Sequence, residues 1–305
     1  MRRESVYVGR AASPVLHSIV VNMSCDVACD INYLEANFYF YNQDDAALDF
    51  LRKHRVLPRS VRCPKCDLDC VLRAGSWRCP GNTKIKKTKR FKRCTFKRRD
   101  FKGTFLERSH LKPWKIVLFA NQWLSKHWDH HTVVKCLKIT RKTSVDWRSF
   151  CSEVTDKWFS EQEAIGGEGV EVEIDETLIS KRKYQRGRIL GQIWLFGGIE
   201  RISKKKFVIP LNEEGDRRNK ETLLPLIQKF IRPGSVIYSD CWPAYKDISD
   251  LGYTHHEINH SESFVKGQIH MQNIERLWRV IKEWIKRPGI ISCYLRQYLS
   301  RYLFI

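Results

Sequence analysis

No apolar run in this chain approaches the ~20 residues that a membrane-spanning helix needs. A helical membrane protein is thereby excluded. Acidic residues are scarce as well: 34 Asp and Glu stand against 55 Lys and Arg, a formal net charge of +21 over 305 residues. That imbalance, with a pI near 9.6, argues for a polyanionic partner. Nucleic acid is the commonest such partner, and an anionic membrane surface is its rival. A clear secretory leader is also lacking. Arg2, Arg3 and Arg10 precede only the short run "PVLHSIVVNM", broken by His17, Ser18 and Asn22, which argues against a signal or transit peptide. Nor is the cysteine count even. Five of the 11 cysteines (Cys63, Cys66, Cys70, Cys79 and Cys94) crowd one short stretch. In a basic chain without a secretory signal, such crowding favours a metal over disulfides.

What is present suffices for a sizeable core, since 42% of residues are hydrophobic, and the length allows two domains. Residues 1–35 show no clear period and receive no function. "DDAALDFLRKHRVLP" has the spacing of a short amphipathic helix stopped by Pro58, within a segment 36–60. "CPKC" and "SWRC" follow, then a run in which ten of the sixteen residues from 84 to 99 are Lys or Arg, interrupted by Phe91 and Phe96. From 106 to 164 the pattern is helical: "PWKIVLFANQWL", "TVVKCLKI" and "TSVDWRSFCSEV", the last two joined by the basic turn "TRK", as in a helix-turn-helix. "AIGGEG" reads as a linker. Beyond it the period falls to two. "VEVEIDETLI", "GQIWLFGGIER" and "KKFVIPL" are expected strands, "KETLLPLIQKFI" a helix, "SVIYSD" a strand, "CWPAYKDISDLG" a helix, "THHEINH" a strand and "NIERLWRVIKEWIKR" the last strong helix. This order predicts an α/β domain over 165–305, a mixed sheet covered by helices.

The strand "VEVEIDETLI" poses a problem for so basic a protein. Glu171, Glu173 and Asp175 alternate and so share one strand face, with Glu176 behind them. The plain reading is a half-exposed strand with Val172 and Ile174 turned inward. Two further acids point elsewhere. Asp240 ends the strand "SVIYSD", where open α/β sheets place ligands. Glu275 begins a helix whose apolar face is Ile274, Leu277, Trp278, Ile281 and Ile285, so Glu275 faces away from the core with Arg279, Lys282 and Lys286. Gathered carboxylates repel one another and drift towards protonation unless a cation joins them. Mg²⁺ or Mn²⁺, as two ions, suits such oxygen donors and the chemistry of phosphodiesters.

"VEIDET", "PGSVIYSDCWPAY", "INHSESFV" and "HMQNIERLWRVIK" resemble, in this order, the catalytic domain of DDE transposases, most closely the Merlin superfamily and its bacterial insertion-sequence relatives. "CPKC", "WRC" and "FKGTFLERSHL" are similar to that family's zinc-binding and linker region. The resemblance spans roughly residues 45 to 300. It implies an RNase H-like fold and the catalytic, metal-holding triad Asp175, Asp240 and Glu275, with 34 residues between the last two. It also implies cleavage and strand transfer of double-stranded DNA at terminal inverted repeats, a homo-oligomer assembled on DNA, and a DNA contact at Lys282. Its family members continue a helical C-terminus beyond the place where Ile305 stops.

Cys63 and Cys66 make a strong knuckle for a zinc ribbon over 61–105, completed by Cys79 and Cys94. The second CxxC is missing, because Asn82 stands where its cysteine belongs. The basic run then reads as an insertion, and Cys70 competes with Cys94 for the fourth place. Lys86, Lys87, Lys89 and Arg90 in that run, Arg141 and Lys142 at the helical turn, and Arg279 with Lys282 are the expected phosphate contacts. A solvated loop is the bland alternative for the run. "TSVDWRSF" is the expected recognition helix, against a core helix in which Val145, Trp147 and Phe150 are packed. His255 and His256 are adjacent and point to opposite faces of a strand, so they are declined as a metal pair; His270 precedes Glu275 closely enough to lie near it. The expected function is a DDE transposase, nuclear in a eukaryote and nucleoid-associated otherwise. A transposase-derived, zinc-containing DNA-binding protein without catalysis is the alternative. An RNA-binding zinc protein leaves the acids unexplained.

Overall fold

Asn32 opens the first helix of the computed structural model, which describes residues 32–84, 91–125, 129–179, 193–211, 218–258, 271–286 and 292–305. The chain divides into two compact units, Met1–Val154 and Thr155–Ile305.

In the first unit, α1 (Tyr33–Phe40) is held by a capping box: Asn32 Oδ1 accepts from the Leu34 and Glu35 amides, and Glu35 accepts from the Asn32 amide. The sequence showed no sign of α1 because its apolar residues lie all round it. Ala36 and Phe40 are buried while Leu34, Phe38 and Tyr39 are exposed. The amphipathic segment after it is α2 (Asp44–Lys53). Strands β1 (Val71–Arg73) and β2 (Ser76–Arg78) form a hairpin, and β3 (Asn82–Lys84) and β4 (Phe91–Arg93) a second. Then β5 (Lys97–Arg99) returns beside β2. Asp100 ties this region to α2, accepting from the Trp77 indole at 2.9 Å and from Arg52. Helices α3 (Pro113–Leu124), α4 (His130–Leu137) and the start of α5 (Arg141–Ser160) close a core of Phe40, Leu51, Leu106, Trp114, Phe119, Trp123, Leu137 and Trp147.

The second unit begins inside α5. Ile165–Gly166, expected as linker, instead forms a short strand β6 pairing with β10 (Ile231–Arg232), so part of the glycine-rich stretch is built into the fold. The main sheet has five strands: β7 (Glu171–Leu178), β8 (Trp194–Glu200), β9 (Lys206–Pro210), β11 (Val236–Asp240) and β12 (Thr254–Ile258), in the order β12-β11-β7-β8-β9. β7, β9, β11 and β12 run in one direction and β8 runs against them, antiparallel to both β7 and β9. Val172, Ile174 and Phe196 on one face pack with Leu223 and Ile227 of α6 (Lys220–Phe230). Leu195, Ile199 and Val208 on the other pack with Ile274, Leu277, Trp278 and Ile281 of α7 (Gln272–Lys286) and Leu295 and Leu299 of α8 (Ser292–Phe304). A mixed sheet flanked by helices is therefore present. The acidic strand is its central member, covered on both sides, rather than a half-exposed one.

Two other expectations fail locally. "CWPAYKDISDLG" is not an α-helix but two 3₁₀ turns, Pro243–Tyr245 and Ser249–Leu251. Tyr245, Ile248 and Leu251 turn inward at a spacing of three, which suits the tighter helix. α8 also follows the helix that the sequence marked as the last.

Candidate functional site

Cys63, Cys66, Cys79 and Cys94 place their sulfurs within 4.8 Å of one another, and among the described residues no other trio of Cys, His, Asp or Glu does so. Backbone amides build the cluster: Lys65 N donates to Cys63 Sγ at 3.4 Å, and Gly81 N to Cys79 Sγ at 3.3 Å. The missing second CxxC is repaired by the β3–β4 hairpin. Asn82 pairs with Arg93, and Cys94 N donates to Gly81 O at 2.8 Å. Cys94 thus returns to the place its lost sequence neighbour would fill. Cys70 is buried nearby but outside the cluster. Burial resists ionisation here, yet the Lys65 and Cys66 amides bring the Cys63 thiol down to about 7. Burial and the neighbouring thiols push Cys66 up to about 12. Four sulfurs in this arrangement are compatible with structural zinc.

In the second unit, β11 pairs with β7 through Val236↔Glu171, Ile237↔Val172 and Tyr238↔Glu173. Continued for two further steps, that register carries Asp240, the last residue of β11, towards Asp175 on the same face, and the charge of Asp240 acts on Asp175. Asp175 Oδ2 accepts from Trp278 Nε1 of α7 at 2.9 Å. Gly197 permits that bond. It faces Asp175 across the β7–β8 pairing, and a Cβ there would stand 2.7 Å from the Trp278 ring. Asp240 Oδ1 accepts from the Trp242 amide. Burial pushes the Asp175 carboxyl up to about 6, and the charge of Asp240 adds to this, while the Trp278 bond and Arg218 oppose it.

Behind Asp175, on the opposite face of β7, Glu176 is buried among Arg218 and Tyr245, and burial pushes it up to about 7. The Arg218 guanidinium lies 4.1 Å from the Trp194 ring centre and 4.6 Å from that of Trp242, and 3.7 Å from Glu176. Glu173, by contrast, is fully engaged. It accepts from Arg201 Nε (3.1 Å), Asn273 Nδ2 (2.8 Å) and the amides of Asn273 and Ile274 (both 3.0 Å).

Glu275 is exposed in the first turn of α7, one turn before Trp278. It lines a groove of about 420 Å³ with Trp278, Arg279, Lys282, Glu283 and Lys286. The structure thus brings Asp175 and Asp240 together and sets Glu275 on the helix bonded to Asp175, without drawing the three carboxylates into one tight cluster. Arg141 and Lys142 are exposed, but in the first turn of α5 rather than in a loop. Of the three apolar residues of "TSVDWRSF" only Trp147 is core (7% exposed), while Val145 and Phe150 are 49% and 44% exposed. Lys86, Lys87, Lys89, Arg90 and His270 lie outside the described residues. His255 bonds Ser239 and His256 stacks on Tyr238, so neither waits for a metal. Trp278 and Arg218 were missed as site residues. The first stood in the quoted "NIERLW" motif, whereas the second carries no local signal.

The strain at Asp175 yields a stability prediction. Its pKa is raised in the folded chain, so its charge destabilises the fold increasingly as pH rises from the usual 3.8 through about 6, and fully above that. Asp175→Asn should therefore raise stability at pH 8 in metal-free buffer by roughly 1–3 kcal/mol, at 1.36 kcal/mol per unit and less for partial exposure. Below about pH 4 the gain should vanish. Thermal melts at both pH values check this.

Residues 166–304 match the ISXO2-like transposase domain family. An uncharacterized transposase-like protein of Haemophilus influenzae is 29% identical over 80 residues, 26% of this chain and 65% of that protein. The chain thus spans less than two thirds of that relative. A chain of the simian T-cell lymphotropic virus intasome, solved in complex with PP2A regulatory subunit B56 gamma, is 15% identical. The likeness covers 60% of this chain and 66% of that one, at a TM-score of 0.32, too low to carry a structural argument. No helix among the described residues is long and apolar enough to cross a membrane.

Proposed function

We propose, from the match of residues 166–304 to the ISXO2-like transposase domain family, that this protein cuts and joins double-stranded DNA at terminal inverted repeats, in a metal-dependent reaction within an RNase H-like domain. The observation that carries the proposal is the pair Asp175 and Asp240, on adjoining parallel strands in the middle of a covered sheet and close enough for the charge of one to act on the other. The donor set fits hard divalent cations: both groups are carboxylates, and the charge of Asp240 raises the cost of charging Asp175. Asp175, Asp240 and Glu275 would hold Mg²⁺ or Mn²⁺, which supplies charge neutralisation at the phosphate and a more acidic water. Trp278 fixes the Asp175 carboxylate through Oδ2. Arg279 and Lys282 offer phosphate contacts beside Glu275.

The four cysteines would hold one structural zinc, and the first unit, with Arg141 and Lys142 at the start of α5, would carry most repeat binding. Assembly as a homo-oligomer on repeat DNA belongs to the same proposal. A non-catalytic DNA-binding protein is the second reading, favoured by the fact that Asp175, Asp240 and Glu275 do not form a tight carboxylate cluster among the described residues. Incubating the full chain with labelled repeat-end DNA and Mg²⁺ decides between them. Nicking at the repeat end supports the enzyme, and tight binding without nicking supports the alternative.

Affinity for repeat DNA should fall steeply with salt, since each phosphate neutralised contributes roughly −0.9 to the log–log slope. Replacing both Arg279 and Lys282 by Ala should flatten that slope by roughly 1.8 if each meets one phosphate. A slope unchanged within error removes them from the interface.

A further inference from the structure

We infer that Glu173 is a positioning residue of the cleavage site, clamping the helix that carries Glu275 to the strand that carries Asp175, and that it is not itself a metal ligand. This rests on the proposed cleavage activity for its role, but not for its geometry.

Glu173 shares a strand face with Asp175, so the sequence makes it the likeliest extra ligand among the flanking acids. Its surroundings say otherwise. The side chain is fully buried and both oxygens are saturated. Oε1 accepts from Arg201 Nε and Asn273 Nδ2, and Oε2 accepts from the amides of Asn273 and Ile274. Those two amides belong to the first turn of α7, where helix N–H groups lack intrahelical partners and the helix dipole favours an anion. The N-terminus of α7 is thus already occupied, by a carboxylate from the middle of the sheet.

The anchor is itself braced. Arg201 lies 3.7 Å from the Tyr238 ring centre and 3.8 Å from Glu171, and Tyr238 Oη donates to Glu171 at 2.8 Å. Lys204 Nζ donates to Asn273 Oδ1 at 2.7 Å. Side chains of β7 and β11 and the turn after β8 therefore all hold the start of α7.

Strand and helix spacings make this a two-point clamp. Glu173 and Asp175 are two residues apart, about 6.7 Å along a strand. Ile274 and Trp278 are four apart, about 6 Å along a helix. Glu173 takes the amide of Ile274 and Asp175 takes the indole of Trp278, so the two pins match in pitch. Glu275 lies between them on the helix. Losing the first pin leaves α7 held to β7's acids by Trp278 alone, and frees the turn bearing Glu275.

The test is Glu173→Gln in the full chain. Glutamine keeps the size but has one acceptor oxygen, so either orientation turns its NH₂ towards two of the four donors. Cleavage kcat on repeat-end DNA should fall about 10–100-fold, the usual cost of losing a residue that orients a metal site's ligands, with KM for DNA unchanged within about twofold. The indole ¹H–¹⁵N resonance of Trp278, assigned by its loss in Trp278→Phe, should shift without any metal present. That second readout separates this inference from the cleavage proposal: it moves even if the wild type never cuts. Wild-type kcat together with an unshifted Trp278 resonance overturns the inference. So does a weakened Mn²⁺ titration with Trp278 unshifted, which makes Glu173 a ligand. Should Glu173→Gln fail to fold, Asn273→Ala removes one of the four donors. A smaller shift of the same resonance then supports the clamp, and no shift overturns it.

Discussion

Asp240→Ala cuts no repeat-end DNA above background, yet binds it at least as tightly as the wild type. That is the result expected, and Asp175→Ala should behave alike. The reasoning is electrostatic. Phosphodiester cleavage needs charge neutralisation at the phosphate and an aligned nucleophile, and carboxylates that hold cations are the only means these two residues have to supply them. Each removed group is an anion that would face DNA in the proposed complex, so its loss should relieve repulsion rather than remove a contact. A fall of at least 10³-fold in cleavage is expected for either variant, about 4 kcal/mol of barrier. Glu171→Ala should cost far less, because Glu171 points to Tyr238 and Arg201 rather than to Asp240. Equal cleavage by Asp240→Ala and the wild type would remove the pair from the chemistry.

The second large effect concerns the cysteines. Purified protein should contain one zinc per chain. Cys79→Ser or Cys94→Ser should lose that zinc and, with it, the order of residues 61–105. Structural zinc contributes on the order of 10 kcal/mol in small ribbons and fingers. This region has little else to hold it: its strands are three residues long, and its buried cluster consists largely of Val61, Trp77 and the cysteines themselves. Repeat binding should drop with the fold. Cys70→Ser should keep both metal and binding, since its sulfur lies outside the cluster. Elemental analysis of the three variants, with a binding titration of each, checks this. Retained zinc in Cys94→Ser with loss in Cys70→Ser would reverse the ligand assignment.

How much of this was legible in the sequence varies by residue, for physical reasons. The acidic strand announced itself by its period of two, and α7 by an unbroken apolar stripe from Ile274 to Ile285, because both patterns are local. α1 stayed hidden because Leu34, Phe38 and Tyr39 place apolar groups on its solvent side. The turns after Asp240 looked helical because three-residue and four-residue spacings blur over so short a run. Cys94 could not be separated from Cys70 by spacing alone, since the deciding fact is a hairpin that returns Cys94 to Gly81. The Trp278–Asp175 bond depends on Gly197 from a third element, and Arg218 reaches Glu176 from a point 42 positions away in the chain. Such pairings leave no trace in local pattern. The period of two shows that Glu173 is on the same face as Asp175, but not that this face meets the start of a helix, where Glu173 accepts from the Asn273 and Ile274 amides.

The most direct test of the central claim is Mn²⁺ binding followed by electron paramagnetic resonance on the full chain with repeat-end DNA. The free-ion signal should be quenched by the wild type and remain in Asp175→Ala and Asp240→Ala, all three retaining their zinc. Equal quenching by all three proteins would contradict the assignment of Asp175 and Asp240 as the metal-holding pair.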